Sequence, residues 1–461
     1  MKLPAPYSPR VNRVCVLEHI SDGQNGWTPC VIGEQIVFRP EVLRSYCFAA
    51  WDPIIYDLLL VAAAVNFCDW SFKRSAHCWE RAFELRIPVH DPARWNDNAV
   101  LVPLHRVLRL LTGDRWSITF FKRKQDYEPP KEQSLPISQN SRAVIAYSNG
   151  LDSYSVAGWF AAEHGDDMLI RVRVGRGDKT RPRKVPFTAL PFRVRPAGSS
   201  HETSGRGRAF KFAAASGLAA TLSNVSEIIV PESGSGALGP VLVRYNRMYS
   251  DFRSHPKFFR QMEAFLAVLL NRQLTFKLPR LESTKGESLR AYLEHARVNR
   301  GAASVQALIE TRSCWQNRHY VAVGEHKRQC GICASCMLRR FSMHVAGVEE
   351  PDGTYSWEDL NAPDLAAAAP AKYKDKIGPA LQNYAIAGTL HLTHLARLRA
   401  SYDYTDIAAR HSREIADASG GDQAAVGRWL DEFLQRHEAQ WRSFLATLDA
   451  GSFVKQWAGS P

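Results

Sequence analysis

Apolar and polar positions change rhythm along this chain, and the changes divide it. Between residues 143 and 345, short apolar runs alternate with amphipathic stretches. The pattern predicts strand Ala143–Tyr147, a helix from Leu151, strand Met168–Val174, helix Arg208–Leu222, strand Glu227–Val230 and helix Pro256–Leu270. Such alternation predicts a parallel sheet with crossover helices, an α/β core. Ligands of these sheets bind beyond the strand C-termini. From Val345 onward apolar residues recur at helical spacing, predicting helices Pro363–Ala369, Ile377–Leu398, Tyr404–Ala418 and Gln423–Leu448. Pro363 suits a first helical position, where a missing N–H costs nothing. Before the core, Val11–Leu17, Cys30–Phe38, Ile87–Val89 and Ser117–Phe121 read as strands around helices Trp51–Phe67 and Pro103–Thr112. Gly113 is the expected stop of the latter. This first part reads as α+β, with Trp70, Trp79, Trp95 and Trp116 in its core. The predicted organisation is an N-terminal α+β domain (1–125), a Pro-containing polar linker (126–142), the α/β core (143–345) and a helical C-terminal region (346–461).

Composition adds limits. Hydrophobic residues at 45% and charged residues at 23% are ordinary for a soluble globular chain. The opening MKLPAPYSPRVNRV lacks an apolar leader core, and no apolar run reaches the about 18 residues a membrane helix needs. Lys and Arg exceed Asp and Glu by 59 to 46, giving +13. Much of the excess lies at Arg171, Arg173, Arg176, Lys179, Arg181, Arg183, Lys184, Arg193 and Arg195. That run reads first as a solvated strand pair and second as a surface for a polyanion. No nucleic-acid-binding signature accompanies it, so nucleic acid is not the favoured partner. Five of the nine cysteines (Cys15, Cys30, Cys47, Cys68, Cys78) are scattered, which suits a reducing cytoplasm.

Two segments carry chemistry. Val144–Ser153 reads VIAYSNGLDS, an apolar strand followed by Ser-x-Gly-x-Asp-Ser at a helix start. Ser148, the Asn149-Gly150 turn and Ser153 put small side chains and free N–H groups at a helix N-terminus, where an anion is favoured, and Leu151 is counted with them as part of the binding loop. Asp152 supplies a carboxylate able to hold Mg²⁺ against phosphates. No Gly-Lys-Ser/Thr follows, so this is not a Walker A loop. Farther on, Cys314, Cys330, Cys333 and Cys336 form C-x15-C-x2-C-x2-C. Four thiolates at this spacing suit a tetrahedral structural Zn²⁺, and Gly331 eases the knuckle turn. With all four ligand slots filled by cysteine, the metal has no open catalytic position. His391 and His394 lie one helical turn apart without a third ligand, and read as surface or core histidines.

The loop resembles the SGGxDS loop of PP-loop ATPases. Together with the cysteine array it resembles the 7-cyano-7-deazaguanine synthase (QueC) family over residues 142–345. Cys330-Gly331-Ile332-Cys333-Ala334-Ser335-Cys336-Met337-Leu338-Arg339 matches the family's C-G-x-C-x-x-C-x-x-R segment. Pro279 with Ser283-Thr284-Lys285-Gly286-Glu287 resembles its P-x-x-x-x-T-K-x-E stretch, and Arg206-Gly207-Arg208 its Arg-rich helix start. Glu227–Gly234 also fits. Asn149 replaces the family's second loop Gly, and the first Cys-to-Cys spacing is long, implying an excursion between Cys314 and Cys330.

The resemblance implies an adenine nucleotide alpha hydrolase-like fold and an AMP-forming ligase that uses ATP and Mg²⁺ and carries Zn²⁺. Its acid would be 7-carboxy-7-deazaguanine, adenylated on the carboxylate and then attacked by an amine. Ser148, Gly150, Asp152 and Ser153 would hold the phosphates. Lys285 is either a phosphate-neutralising cation or a helix-start lysine. Arg206 or Arg208 would hold the carboxylate or phosphate, the two being undecided. About 140 residues precede the loop and over 110 follow the cysteines, more than the biosynthetic synthases have. That layout is more like the QueC-like proteins of anti-phage operons (type IV CBASS, Qat), which attach the deazaguanine to the N-terminus of a partner protein from the same operon. Ammonia-dependent synthesis of the free nitrile is the alternative, and a non-catalytic nucleotide sensor a second.

Overall fold

The computed structural model describes residues 10–38, 52–75, 77–124, 140–148, 150–174, 187–190, 192–199, 201–243, 248–300, 302–316 and 320–459. Cys47, Asn149, the linker up to residue 139 and the basic positions from Arg176 to Lys184 lie outside them. The chain forms two compact units that interleave along the sequence. The first comprises residues 1–146, 167–230 and 244–277; the second comprises 147–166, 231–243 and 278–461.

The first unit is α/β and holds two parallel sheets. In the smaller, strands run in the order Thr28–Val31, Val11–Leu17, Ala82–Val89, Arg115–Lys122, every pair parallel. The N-terminal part is therefore α/β rather than the expected α+β. Its strands read as candidates for either direction, and the connections between them decide. Pro53–Ser71 and Asn98–Thr112 each carry the chain back to the strand's starting edge, so the next strand enters parallel. Pro53–Ser71 is apolar on every side and buried along nearly its whole length, with Asp52 accepting from the Ile54 N–H at its start. Among the described residues it is the one helix long and apolar enough to cross a membrane, and it serves as core here. Asn98–Thr112 begins at Asn98 rather than Pro103 because Asp97 caps it, and it ends as expected at Gly113, φ 70°.

The larger sheet has five parallel strands, ordered Phe187–Leu190, Leu169–Val174, Ala143–Ala146, Glu227–Ile229, Thr275–Lys277. In chain order that is third, second, first, fourth, fifth. The strand order reverses at Ala143–Ala146, which makes its C-terminal end the topological switch point. Helix Arg208–Leu222 packs on this strand and its neighbour, and Pro256–Leu270 packs on the helix. Arg171, in strand Leu169–Val174, is buried rather than solvated, while Arg193 and Arg195 are exposed.

A buried charge cluster joins the end of helix Pro53–Ser71 and the starts of strands Ala82–Val89 and Arg115–Lys122 to the start of helix Arg208–Leu222. Arg81 pairs with Asp69 at 2.6 Å and Asp114 at 2.7 Å, and Arg74 pairs with Asp114 at 2.7 Å. Asp69 also accepts the Gly207 N–H at 2.6 Å, just before helix Arg208–Leu222. A Cβ at residue 207 would lie 3.2–3.3 Å from the Asp69 side chain, so glycine permits this approach. Four buried charges of alternating sign leave no ion unpaired.

The second unit is helical. Leu151–His164 packs on Lys285–Arg300, with Gly158 admitting the Tyr292 ring. Lys285–Arg300 packs in turn on Ala334–Ala346, where Gly286 meets Val345. Ala334–Ala346 then packs on Pro379–Ala396 and Gln423–Ala446 through Phe341, Trp441 and Phe444. Tyr404–Ser419 pairs with Gln423–Ala446. The expected helix Pro363–Ala369 is a series of turns: Asp364 bonds the N–H groups of Ala366 and Ala367, and Pro370 follows too soon for a helix to propagate.

His437 lies inside this core, its Nε2–H donating to the Leu392 carbonyl at 3.2 Å. Burial pushes its pKa down to about 4. The neutral form is therefore the folded one, and its stabilisation is complete above the unfolded value near 6.5 and lost as pH falls through about 4. The expected loss is about 3 kcal/mol. Denaturant titrations at pH 7 and pH 4 should show that His437→Gln flattens this slope. An unchanged slope in the variant would assign the acid sensitivity elsewhere.

Candidate functional site

The chain leaves the switch-point strand at Ala146 and enters helix Leu151–His164 through the serine loop. Gly150 is the helix N-cap, and no side chain caps it. The loop is held by its own hydroxyls. The Gly150 N–H donates to Ser148 Oγ at 3.0 Å, the Ser148 N–H donates to Ser153 Oγ at 3.1 Å, and the two hydroxyls lie 2.9 Å apart. Ser153 Oγ also reaches the Ser148 and Gly150 carbonyls at 2.9 and 3.1 Å. Ser153 is buried and Ser148 exposed, so one serine anchors the turn from beneath while the other faces outward. A side chain at residue 150 would meet Ser148 Oγ at 3.0 Å, which explains a glycine there. Leu151 is buried in the core beneath the loop, among Leu289, Tyr292 and Leu293.

Asp152 stands in the first helical turn, and its Oδ2 forms an ion pair with Lys285 Nζ. Lys285 is buried, with 5% of its side chain exposed, so it is not an exposed helix-start lysine. Its backbone is fixed from two directions. Thr284 and Glu287 form a reciprocal capping box, the Thr284 N–H on Glu287 Oε2 at 2.8 Å and the Glu287 N–H on Thr284 Oγ1 at 3.2 Å. The Lys285 N–H donates to Ser235 Oγ at 3.2 Å. Ser235 follows Gly234, whose N–H bonds the carbonyls of Arg280 and Ser283 and where any Cβ would strike the Leu281 carbonyl at 2.3 Å. Three segments thus converge in this unit: the serine loop, residues 232–236 and residues 280–287. Ser235 carried no sequence signal of its own, whereas Glu287 was legible as the fourth member of a Thr-x-x-Glu box.

The two arginines belong to the first unit. Arg206 is buried, paired with Asp251 at 3.0 Å and bonded to the Tyr249 carbonyl at 2.9 Å, and stacks 5.0 Å from the Trp79 ring. Its charge is therefore already met by protein. Arg208 is exposed, 5.2 Å from the Phe212 ring, at the first position of its helix. The same unit holds a cavity of about 290 Å³ lined by Asp52, Asp57, His90, Asp91, Arg94 and Lys122. Asp57 accepts from both His90 Nδ1 and the His90 N–H, and burial raises its pKa. Asp52 and Asp91 cap their own helices, so this polar group is chiefly structural.

The cysteine array is assembled as the spacing predicts. Cys314, Cys330, Cys333 and Cys336 are all buried, with their sulfurs within 4.8 Å of one another. Cys330 and Cys336 sulfurs lie 3.8 Å apart, against about 3.8 Å expected between ligands of a tetrahedral Zn–S₄ site with bonds of about 2.3 Å. Backbone N–H groups point at sulfur: Cys330 N–H to Cys314 Sγ at 3.2 Å, Cys333 N–H to Cys330 Sγ and Cys336 N–H to Cys333 Sγ at 3.4 Å. Such bonds stabilise thiolate, the metal-binding form. Hydrogen bonds from the other three thiols hold Cys314 low, while burial pushes Cys336 up. The donor set fits Zn²⁺ and leaves no open position. Gly331 takes φ 90° in the knuckle, with the Trp357 carbonyl 2.6 Å from where its Cβ would be. The excursion between Cys314 and Cys330 contains the small hairpin Ala322–Val323 and His326–Lys327.

The metal module also abuts the serine loop. Gln329 Oε1 takes the N–H groups of Ser313 and Cys314, Ser335 Oγ bonds the Ser313 carbonyl, and Arg339 holds the Thr311 carbonyl and hydroxyl. Between these anchors, the Arg312 carbonyl lies 3.8 Å from the Cβ position of Gly150. Neither His391, half-buried against Gly239, nor the exposed His394 belongs to a metal-binding group among the described residues. Comparison of the chain with protein-family models, curated proteins and solved structures finds no match in any of the three.

Proposed function

We propose that the protein is an AMP-forming, ATP-dependent ligase similar to QueC that activates the carboxylate of 7-carboxy-7-deazaguanine and joins it to an amine. One observation carries the reading: Asp152 of the loop pairs with Lys285 from a motif 133 residues away, at the start of an uncapped helix. The arrangement combines a carboxylate for a metal, a buried cation and free N–H groups, the parts needed to hold a polyphosphate.

A carboxylate carbon cannot accept an amine until its oxygen becomes a leaving group. The substrate carboxylate oxygen attacks the α-phosphorus and pyrophosphate departs. An amine then attacks the acyl carbon, AMP leaves with the C–O bond electrons, and an amide and a proton remain. The N–H groups of the first helical turn and the Lys285 ammonium take the charge that builds on departing pyrophosphate. Mg²⁺ held by Asp152 would supply further neutralisation there. The four cysteines would hold Zn²⁺ as a structural ion, with no position left open for the chemistry.

The acceptor, by this reading, is the N-terminal amine of a partner protein, and the large extent of chain outside the core provides docking surface. Docking raises the effective concentration of the amine near a short-lived acyl-adenylate. Incubated with ATP, Mg²⁺ and the acid, the protein should release pyrophosphate, and AMP as water or an added amine cleaves the acyl-adenylate; ADP and phosphate as products would refute the proposal. With ammonia as the only amine, turnover to the nitrile should be slow. Efficient nitrile formation would instead identify a synthase of the free base.

A further inference from the structure

We infer that Lys285 and Asp152 form an exchangeable lock that admits a divalent metal and a polyphosphate together and neither alone. The inference rests on the reading of Ser148–Ser153 as a nucleotide loop, and adds to it the form in which the nucleotide binds.

Lys285 Nζ contacts Asp152 Oδ2, with the lysine side chain 5% exposed and the aspartate 22%. The lysine cannot follow a departing partner by moving its backbone, which the capping box and Ser235 fix. A buried ammonium left without an anion is strongly unfavourable. A metal that captured Asp152 by itself would leave Lys285 in that condition. A polyphosphate that drew Lys285 away by itself would set Asp152 against phosphate oxygens, a like-charge contact. A metal–polyphosphate chelate answers both charges in one step: Asp152 passes to the metal and Lys285 to a phosphate.

The serines fit the same exchange. Gly150 N–H is directed to Ser148 Oγ and Ser148 N–H to Ser153 Oγ, so an incoming anion takes over donors that the loop's own hydroxyls now use. The ligand is therefore the metal chelate of a nucleoside triphosphate. Metal and nucleotide must each raise the other's affinity by the same factor.

The test uses full-length, zinc-replete protein with Mn²⁺ as the metal probe, bound ion being read by electron paramagnetic resonance. Titrations are made with and without α,β-methylene-ATP, and ions bound by Asp152→Asn set the background. The wild type should bind Mn²⁺ at least about tenfold more tightly when the analogue is present. Lys285→Met should bind Mn²⁺ alone about tenfold more tightly than wild type and lose most of the coupling. Lys285→Arg, which keeps the charge, should retain the coupling. Should Lys285→Met be too unstable to titrate, Lys285→Gln is read in the same way. Unchanged Mn²⁺ affinity in the neutral variant, or coupling that survives it, overturns the lock. A separate result speaks to the underlying reading: if Asp152→Asn still binds the Mn²⁺–analogue pair as wild type does, the loop is not a nucleotide site.

Discussion

Asp152→Asn should lower AMP formation by about a thousandfold while the protein stays folded. The loss follows from geometry: the carboxylate stands in the first turn of the loop helix, and the amide that replaces it can hold neither a divalent metal nor a full negative charge. Asparagine is preferable to alanine, because Asn can still accept a hydrogen bond from Lys285 Nζ. Alanine would leave that buried ammonium facing no acceptor, costing about 3 kcal/mol and confusing catalysis with stability. The measurement is initial-rate AMP release at saturating substrates, paired with a thermal melt. A rate within tenfold of wild type would remove Asp152 from the reaction.

Loss of the metal should have the larger structural effect. Purified protein is expected to contain about one Zn²⁺ per chain, and Cys333→Ser should lose it. Cys333 is both a member of the four-cysteine cluster and N-cap of helix Ala334–Ala346, which carries Phe341 into the aromatic core with Trp441 and Phe444. Structural zinc contributes about 10 kcal/mol or more in small domains, so most of the second unit's cooperative melt should move down or vanish. Because the Arg312 carbonyl lies beside Gly150, the variant should also lose the nucleotide binding proposed for the loop. Metal analysis and calorimetry decide it. Metal-free protein that melts at the wild-type temperature would refute a structural role.

Much of this was open to inspection in the sequence, for identifiable reasons. Strand–helix alternation is local and survives as hydrophobic period, so three of the five parallel strands followed from residues 143–277 read in order, while the short edge strands Phe187–Leu190 and Thr275–Lys277 left too brief a pattern to be read. The cysteine site was legible because metal geometry imposes a spacing that chance rarely supplies. Side-chain pairing between distant segments has no such period. Nothing in Ser-Thr-Lys-Gly-Glu announces that Lys285 turns inward toward Asp152; its helix start reads the same whether the lysine is buried or solvated. Strand direction in the N-terminal sheet was missed for a related cause, since period-2 patterning is indifferent to direction. The Asp364 turns were missed because four consecutive alanines favour helix locally, while the proline at 370 leaves too little chain to nucleate one.

The contact between Asp69 and Gly207 bears on how such a chain can be cut and recombined. A gene fusion that appended a free-standing module to an enzyme would leave a seam, a place where either part could be removed or exchanged with little loss. Here Asp69, near the end of helix Pro53–Ser71, neutralises Arg81 and also accepts the N–H of Gly207 at the start of the helix that covers the larger sheet. Removing residues 1–125 would leave the buried Gly207 N–H without its acceptor and expose the face of Arg208–Leu222 that packs on Pro53–Ser71, so a truncated protein would report misfolding in place of lost docking. Chimeras that transplant this N-terminal region would need Gly207 and the helix behind it to travel as well. The segment is a built-in part of the scaffold of its unit, so a role for it in docking is to be tested by substitutions on its outer surface and not by deletion.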